Sequence, residues 1–310
     1  MKPRALAFFL FPLLALVIGT MVVGHLSDTH AASPHAASHT AGSSPMAVMK
    51  PYGSHNSPTV ANGNLTYHGG PVMDGTAHVF LIFWEPAGFG VTPKYNPLMT
   101  RWFKDVGRFP EDSPLYENNE QYTSTDDKAP EHVVVAGTFL DTHPYPANPM
   151  TDAQVQAEVT HAQTVNGWTS SIHNIFFVYT GSGEHNAAAD GIACAYHNSF
   201  GTNTIYAAMI YPTVLAGCLA PLPSPNHDQI ADSEINISSH EEMEAATDPI
   251  VSPVATGWYH VDTAHEIGDE CNFVFGPRNS LGGDVKYFSH PYLVQKEWDN
   301  AKSGCTLKGP

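Results

Sequence analysis

The chain has 310 residues, with 13 Lys and Arg against 30 Asp and Glu, for a formal net charge of -17. That balance excludes nucleic acid as a partner, because phosphate binding needs a cationic surface. It suits an acidic extracytoplasmic protein, and clustered carboxylates can hold a hard cation.

Met1-Lys2-Pro3-Arg4 precedes an apolar run from Ala5 to Val23, and small residues follow at Thr29-His30-Ala31-Ala32. This pattern predicts a signal peptide over 1–31. The run nears membrane-spanning length, so an uncleaved N-terminal anchor is the alternative. Residues 32–64 are rich in Ala, Ser, His and Pro and have no apolar periodicity. They read as a disordered linker, with His35, His39 and His55 as parts of a polar tether. Residues 65–310 are long enough for one domain with its own core.

Within that domain, His78–Trp84 is β-branched and aromatic and predicts a buried strand. A helix is expected over Leu98–Val106, after Pro97, and a second strand over His132–Leu140. Thr151 or Asp152 caps a helix running toward Val165, with Val155, Val159 and Ala162 at helical spacing. Asn174–Thr180 and Ile205–Tyr211 predict two more strands. A helix is expected over Ser233–Thr247, a turn at Gly257-Trp258-Tyr259, and a short helix over Tyr292–Trp298. Irregular alternation of strands and helices predicts a single mixed domain, α/β or α+β.

The four cysteines, Cys194, Cys218, Cys271 and Cys305, form no C-x-x-C pair. An even count in an exported chain predicts two disulfides instead of a zinc site. Three pairings exist, and the sequence-local one joins Cys194 to Cys218 and Cys271 to Cys305.

The segment Ser239-His240-Glu241-Glu242-Met243-Glu244 to Asp248-Pro249 carries the chemistry. His240 and Glu244 stand one turn apart on one helix face, as two metal ligands do. Glu241 occupies the general-base position of a zincin-like H-E-x-x-H helix, with glutamate in place of the second histidine. A third ligand comes from elsewhere: Glu266 first, with Asp269 and Asp248 as alternatives and His260 and His265 also available. Zinc is the expected cofactor, and calcium is the alternative. A zinc ion would acidify water, and Glu241 would take its proton. The contrary reading of Glu241, Glu242 and Glu244 is a solvated acidic face.

Several segments together carry a resemblance. They are Tyr67-His68-Gly69-Gly70-Pro71-Val72, Ser239-His240-Glu241 through Asp248-Pro249, and Gly257-Trp258-Tyr259. Downstream follow Glu266-Ile267-Gly268-Asp269-Glu270-Cys271, Tyr292-Leu293-Val294-Gln295, Trp298 and Cys305. In order and rough spacing the chain resembles the phosphate-induced protein 1, or EXORDIUM-like, family, as a bacterial-type member. The resemblance covers most of 65–310 and is strongest in the last third. It places His240, Glu241 and Glu244 on the family's H-E-x-x-E, and Glu266, Asp269 and Cys271 on its E-I-x-D-x-C. It pairs Cys271 with Cys305. Glu242 and Met243 depart from the family, which has apolar or small residues there.

The resemblance implies a secreted, extracellular or cell-wall protein. Two functions follow as expectations: a zinc metallohydrolase of the peptidase kind, or a non-catalytic extracellular or cell-wall protein with a structural zinc or calcium site. Trp258 and Tyr259 also suggest a carbohydrate-binding module. The expected partner is a peptide or cell-wall component, with no nucleic acid, no membrane beyond the export signal or anchor, and a monomeric chain.

Overall fold

The computed structural model describes residues 48–52, 63–108, 113–125, 128–130 and 132–310. The expected signal peptide lies outside the described residues. A six-stranded sheet organises the rest. Its members in chain order are β1 (Val48–Met49), β3 (Thr76–Trp84), β4 (His132–Asp141), β5 (Asn174–Thr180), β6 (Ala195–Phe200) and β7 (Thr204–Met209). The spatial order is β1-β6-β7-β5-β3-β4. Strands β4, β3, β5 and β7 run parallel, while β6 and β1 continue the sheet antiparallel. A small ladder pairs β2 (Thr66–Tyr67) with β8 (Trp258–Tyr259).

Parallel strands need both faces covered, and the period of two in β3 supplies two apolar faces. Val79, Leu81 and Phe83 join one core, with Leu98, Trp102 and Phe103 of α1 (Tyr95–Gly107) and Ile235 and Met243 of α3 (Gln229–Thr247). Phe80, Ile82 and Trp84 join the other, with Val155, Val159 and Ala162 of α2 (Asp152–Asn166). The result is a mixed α/β domain of three layers. Thr151 and Gln154 close a capping box on α2, and Gly167 ends that helix in the left-handed region at φ 69°.

Chain after α3 folds as short antiparallel ladders. They pair β9 (Val285–Tyr287) with β10 (His290–Tyr292), and β11 (Glu297–Asp299) with β12 (Gly304–Thr306). Disulfides Cys194–Cys218 and Cys271–Cys305 have both formed, in the sequence-local pairing. Such bonds point to an extracellular or otherwise oxidising environment. No helix among the described residues is long and apolar enough to cross a membrane.

Four expectations need correction. The linker over 32–64 does not extend unbroken: Val48–Met49 pairs with β6 at the sheet edge, and the Cys194 N–H donates to the Met49 carbonyl at 2.7 Å. Helix α1 starts before Pro97, because the first turn needs no intrahelical N–H there. Trp258-Tyr259 is a strand of the small ladder and not a turn. Tyr292–Trp298 is no helix. Its backbone donors serve other segments: Gln295 N–H reaches the Asn236 side chain at 2.6 Å, Lys296 N–H the Val274 carbonyl and Trp298 N–H the Ile267 carbonyl.

A buried histidine and carboxylate cluster on helix α3

Helix α3 starts where the Asp228 carboxylate accepts the Ala231 N–H at 3.1 Å, and it stops before Pro249, which disfavours helix at Asp248. Every residue from Ala231 to Thr247 is buried. This helix is therefore no solvated acidic face. It runs through the interior, and each of its polar side chains has to be satisfied there.

Its glutamates divide by partner. Glu234 lies against the Tyr95 hydroxyl and Glu242 against that of Tyr116. Burial pushes Glu234 well above the carboxylate range and Glu242 up to about 8, so both sit as neutral acids at pH 7. Glu241 and Glu244 face imidazoles instead. Glu244 stays ionised: burial raises it, but His240 and His197 outweigh burial and bring it to about 2.

One of those imidazoles belongs to His197 on β6, which the sequence did not mark. Its Nε2 lies 3.2 Å from the Asp248 carbonyl, which only accepts, so Nε2 carries the proton. Nδ1 then points at Glu241 Oε2 and Glu244 Oε2, each 3.5 Å away, and although burial lowers the ring, Glu266, Glu241 and Glu244 raise it well above its ordinary value. A lone pair facing two carboxylates is repulsive unless a proton or a metal ion lies between them. Nδ1, Glu244 Oε2 and both Glu241 oxygens are buried without a hydrogen-bond partner. Ligands about 2.0–2.1 Å from a tetrahedral zinc lie roughly 3.3–3.4 Å apart, close to what these atoms show.

His240 is held differently. Its Nε2 lies 3.0 Å from Glu244 Oε1 and 4.0 Å from Asp269 Oδ1. Burial disfavours its charge, but the Glu244, Glu241 and Asp269 carboxylates outweigh burial and push it up to about 10. Hydrogen bonding opposes that second proton. Gln295 accepts the Phe273 N–H through Oε1 and donates from Nε2 to the Gly268 carbonyl, so its amide cannot turn over. The remaining amide N–H points at His240 Nδ1, 3.0 Å away. Nδ1 therefore accepts, and the single proton sits on Nε2, which faces Glu244 Oε1 at 3.0 Å yet has no hydrogen-bond partner. Gly268 makes this approach possible, since a Cβ there would fall 2.6 Å from Nδ1.

Two ligand-type groups thus meet at Glu244: His197 with Glu241, and His240 with Asp269. Either group is able to hold a metal ion. Glu266, expected to join His240 and Glu244, goes instead to His197, with Oε1 3.8 Å from Nε2. Asp269 takes the expected place, and its N–H also donates to Glu244 Oε1 at 3.0 Å. Asp248 clamps the chain after the helix by accepting the Gly257 and Thr256 N–H groups. His260 and His265 belong to neither group, and His265 faces Glu270 at 3.4 Å.

The segment Ala195–Phe200 escaped notice because His, Asn and Ser dilute its strand character. A signal was available: Gly201-Thr202-Asn203 stands between two short runs with β-forming residues, a hairpin pattern. Four carboxylates (Glu241, Glu244, Glu266 and Asp269) face two imidazoles. Burial pushes Glu241, Glu266 and Asp269 up, Asp269 to about 7, and Glu244 alone of the four is brought low by its imidazoles. Cavities of about 610, 720 and 350 Å³ are lined by other residues. No protein-family model, curated protein or solved structure matches the chain.

Proposed function

We propose that this chain is a secreted, EXORDIUM-like protein whose domain is built around one buried divalent metal ion, with zinc the best fit. His197, Glu241 and Glu244 would hold it, and the Asp269 N–H would orient Glu244 by donating to its other oxygen. The observation that carries this reading is His197 Nδ1, buried without a hydrogen-bond partner and 3.5 Å from each of two carboxylates. The outer partners have the usual form: the His197 Nε2–H to a backbone carbonyl, and the Asp269 N–H onto the Glu244 carboxylate. Imidazole with few oxygens suits zinc, whereas calcium takes six to eight oxygens. Closure on all sides favours a structural role over catalysis, which needs an open ligand position. The ion would tie α3 to β6, and an extracellular or cell-wall setting follows from the disulfides and the family resemblance.

Asp269 supports a second reading as a zinc-dependent hydrolase. There His240 would give up its Nε2 proton and hold the metal with Glu244 and Asp269, and Glu241 serves as general base. Zinc would supply Lewis acidity, and Glu241, which burial pushes up from its ordinary value, would accept a proton from water.

Metal analysis of protein dialysed against metal-free buffer separates these readings. The expected result is one retained equivalent of zinc, lost in His197→Ala and Glu244→Gln and kept in His240→Ala. Loss in His240→Ala with retention in His197→Ala favours the second reading, which also requires peptide hydrolysis that Glu241→Gln abolishes. Wild-type protein that retains no divalent metal overturns both.

A further inference from the structure

A second cluster lies at the far edge of the sheet, where β4 ends at Asp141. The Asp141 side chain is only 2 % exposed. Its Oδ1 accepts the backbone N–H of His143 at 2.8 Å and meets the His143 ring Nδ1 at 2.6 Å. Its Oδ2 faces His161 Nε2 at 3.4 Å, and both atoms are buried without a hydrogen-bond partner. Glu158 stands one turn before His161 on α2, with its carboxyl against Asp141 and its Oε1 also unpartnered.

A simple ion pair between Asp141 and His143 would account for Oδ1 alone. It leaves a buried carboxylate oxygen aimed at a buried imidazole nitrogen at a separation too long for a good hydrogen bond. The ligand atoms of Asp141, His143 and His161 all lie within 4.8 Å of one another. The backbone that presents them is fixed, since the Trp84 indole N–H donates to the His143 carbonyl at 2.9 Å. Unlike the cluster on α3, this one opens outward: the His143 side chain is 75 % exposed and that of His161 39 %.

We propose that Asp141, His143 and His161, with Glu158 beside them, form a second, solvent-accessible zinc site that fastens α2 to the edge strand β4. Two imidazole nitrogens and carboxylate oxygens are the donor set zinc prefers. On binding, zinc takes the place of the proton at His143 Nδ1, and that proton passes to solvent or to Nε2 of the same ring. Because the site faces solvent, its ion exchanges freely, whereas the ion proposed on α3 does not.

The test uses the full chain carrying Glu244→Gln, which silences the buried site, stripped with chelator and titrated with zinc at pH 7.5. One exchangeable equivalent is expected at micromolar zinc, with the imidazole NMR signals of His143 and His161 shifting together. A further His143→Ala and His161→Ala exchange removes that equivalent while the circular dichroism spectrum is unchanged. Equal zinc uptake with and without the two histidines overturns the proposal. Uptake only at millimolar zinc, as for an adventitious ion, overturns it as well. Failure of the buried site would appear separately, as no difference between wild type and Glu244→Gln in retained metal.

Discussion

On one buried helix, Glu234 and Glu242 stand beside tyrosine hydroxyls while Glu241 and Glu244 stand beside imidazoles. A phenol brings no positive charge, so burial raises the first pair unopposed, although the oxygens of Glu234, Glu242, Tyr95 and Tyr116 are buried without hydrogen-bond partners. Beside imidazoles the second pair divides: Glu244 is brought down to about 2, while burial still holds Glu241 above its ordinary value. Burial is common to all four. The partner decides which of them stays ionised.

The largest expected effect breaks that comparison at its charged side. Glu244→Gln removes the carboxylate shared by both ligand groups and leaves two buried imidazoles facing an amide. Breaking a buried ion pair costs about 3–5 kcal/mol, which lowers Tm by roughly 10 °C in a domain of this size. Glu234→Gln, which replaces an already neutral acid, should shift Tm by a small fraction of that. Calorimetry of the two variants settles the point, and equal losses would refute the division.

Next in size is the covalent link that holds the Asp269 segment. Replacing Cys271 and Cys305 by serine opens a loop with a sequence separation of 34 residues. Chain entropy for such a loop gives a destabilisation of about 3–4 kcal/mol, measurable by urea unfolding. If the metal ion also holds this segment through Glu244, the serine variant should remain folded with metal and lose more stability when chelator is added.

A smaller and more local change sharpens the roles of the two histidines. Gly268→Ala places a methyl group against the His240 ring, so the ring or the Glu266–Cys271 segment must shift. Overpacking of this kind costs about 1–3 kcal/mol. Zinc held by His197 should survive it, whereas zinc held by His240 should be lost. Metal content after dialysis reads the outcome.

Finally, the neutral side of the comparison has a pH signature. Glu242 has a folded pKa of about 8 against an ordinary 4.5. An acid with a raised folded pKa binds its proton more tightly in the folded state. Its contribution is full below 4.5 and is lost as pH rises through about 8. Glu242→Gln cannot ionise, so it should flatten the fall in stability across that window by up to about 1.4 kcal/mol per pH unit. Urea unfolding at pH 5, 6.5 and 8 checks this, and a slope identical to wild type would show that Glu242 is ionised in the fold.

The elements that were legible in the sequence are those whose own residues settle them. Asn174–Thr180 is apolar enough to be a strand anywhere in a core, and the Thr151 cap announces α2. The helix carrying His240, Glu241 and Glu244 was readable because a proline ends it and its ligand-type residues repeat at helical spacing. The cysteine pairing followed from proximity along the chain. What the sequence left open has a common physical reason: it depends on residues distant in the chain. His197 is 43 positions before His240 in number and gains its role only because β6 packs beneath α3. The choice between Glu266 and Asp269 turns on how a 3₁₀ turn at Asp269–Cys271 orients two carboxylates only three residues apart. Which nitrogen of His240 carries its proton is decided by Gln295, whose amide is locked by the Phe273 N–H and the Gly268 carbonyl. Local pattern determined which residues can do chemistry, and tertiary packing assigned each its partner, because proton position and charge in a dry interior depend on the nearest group in space.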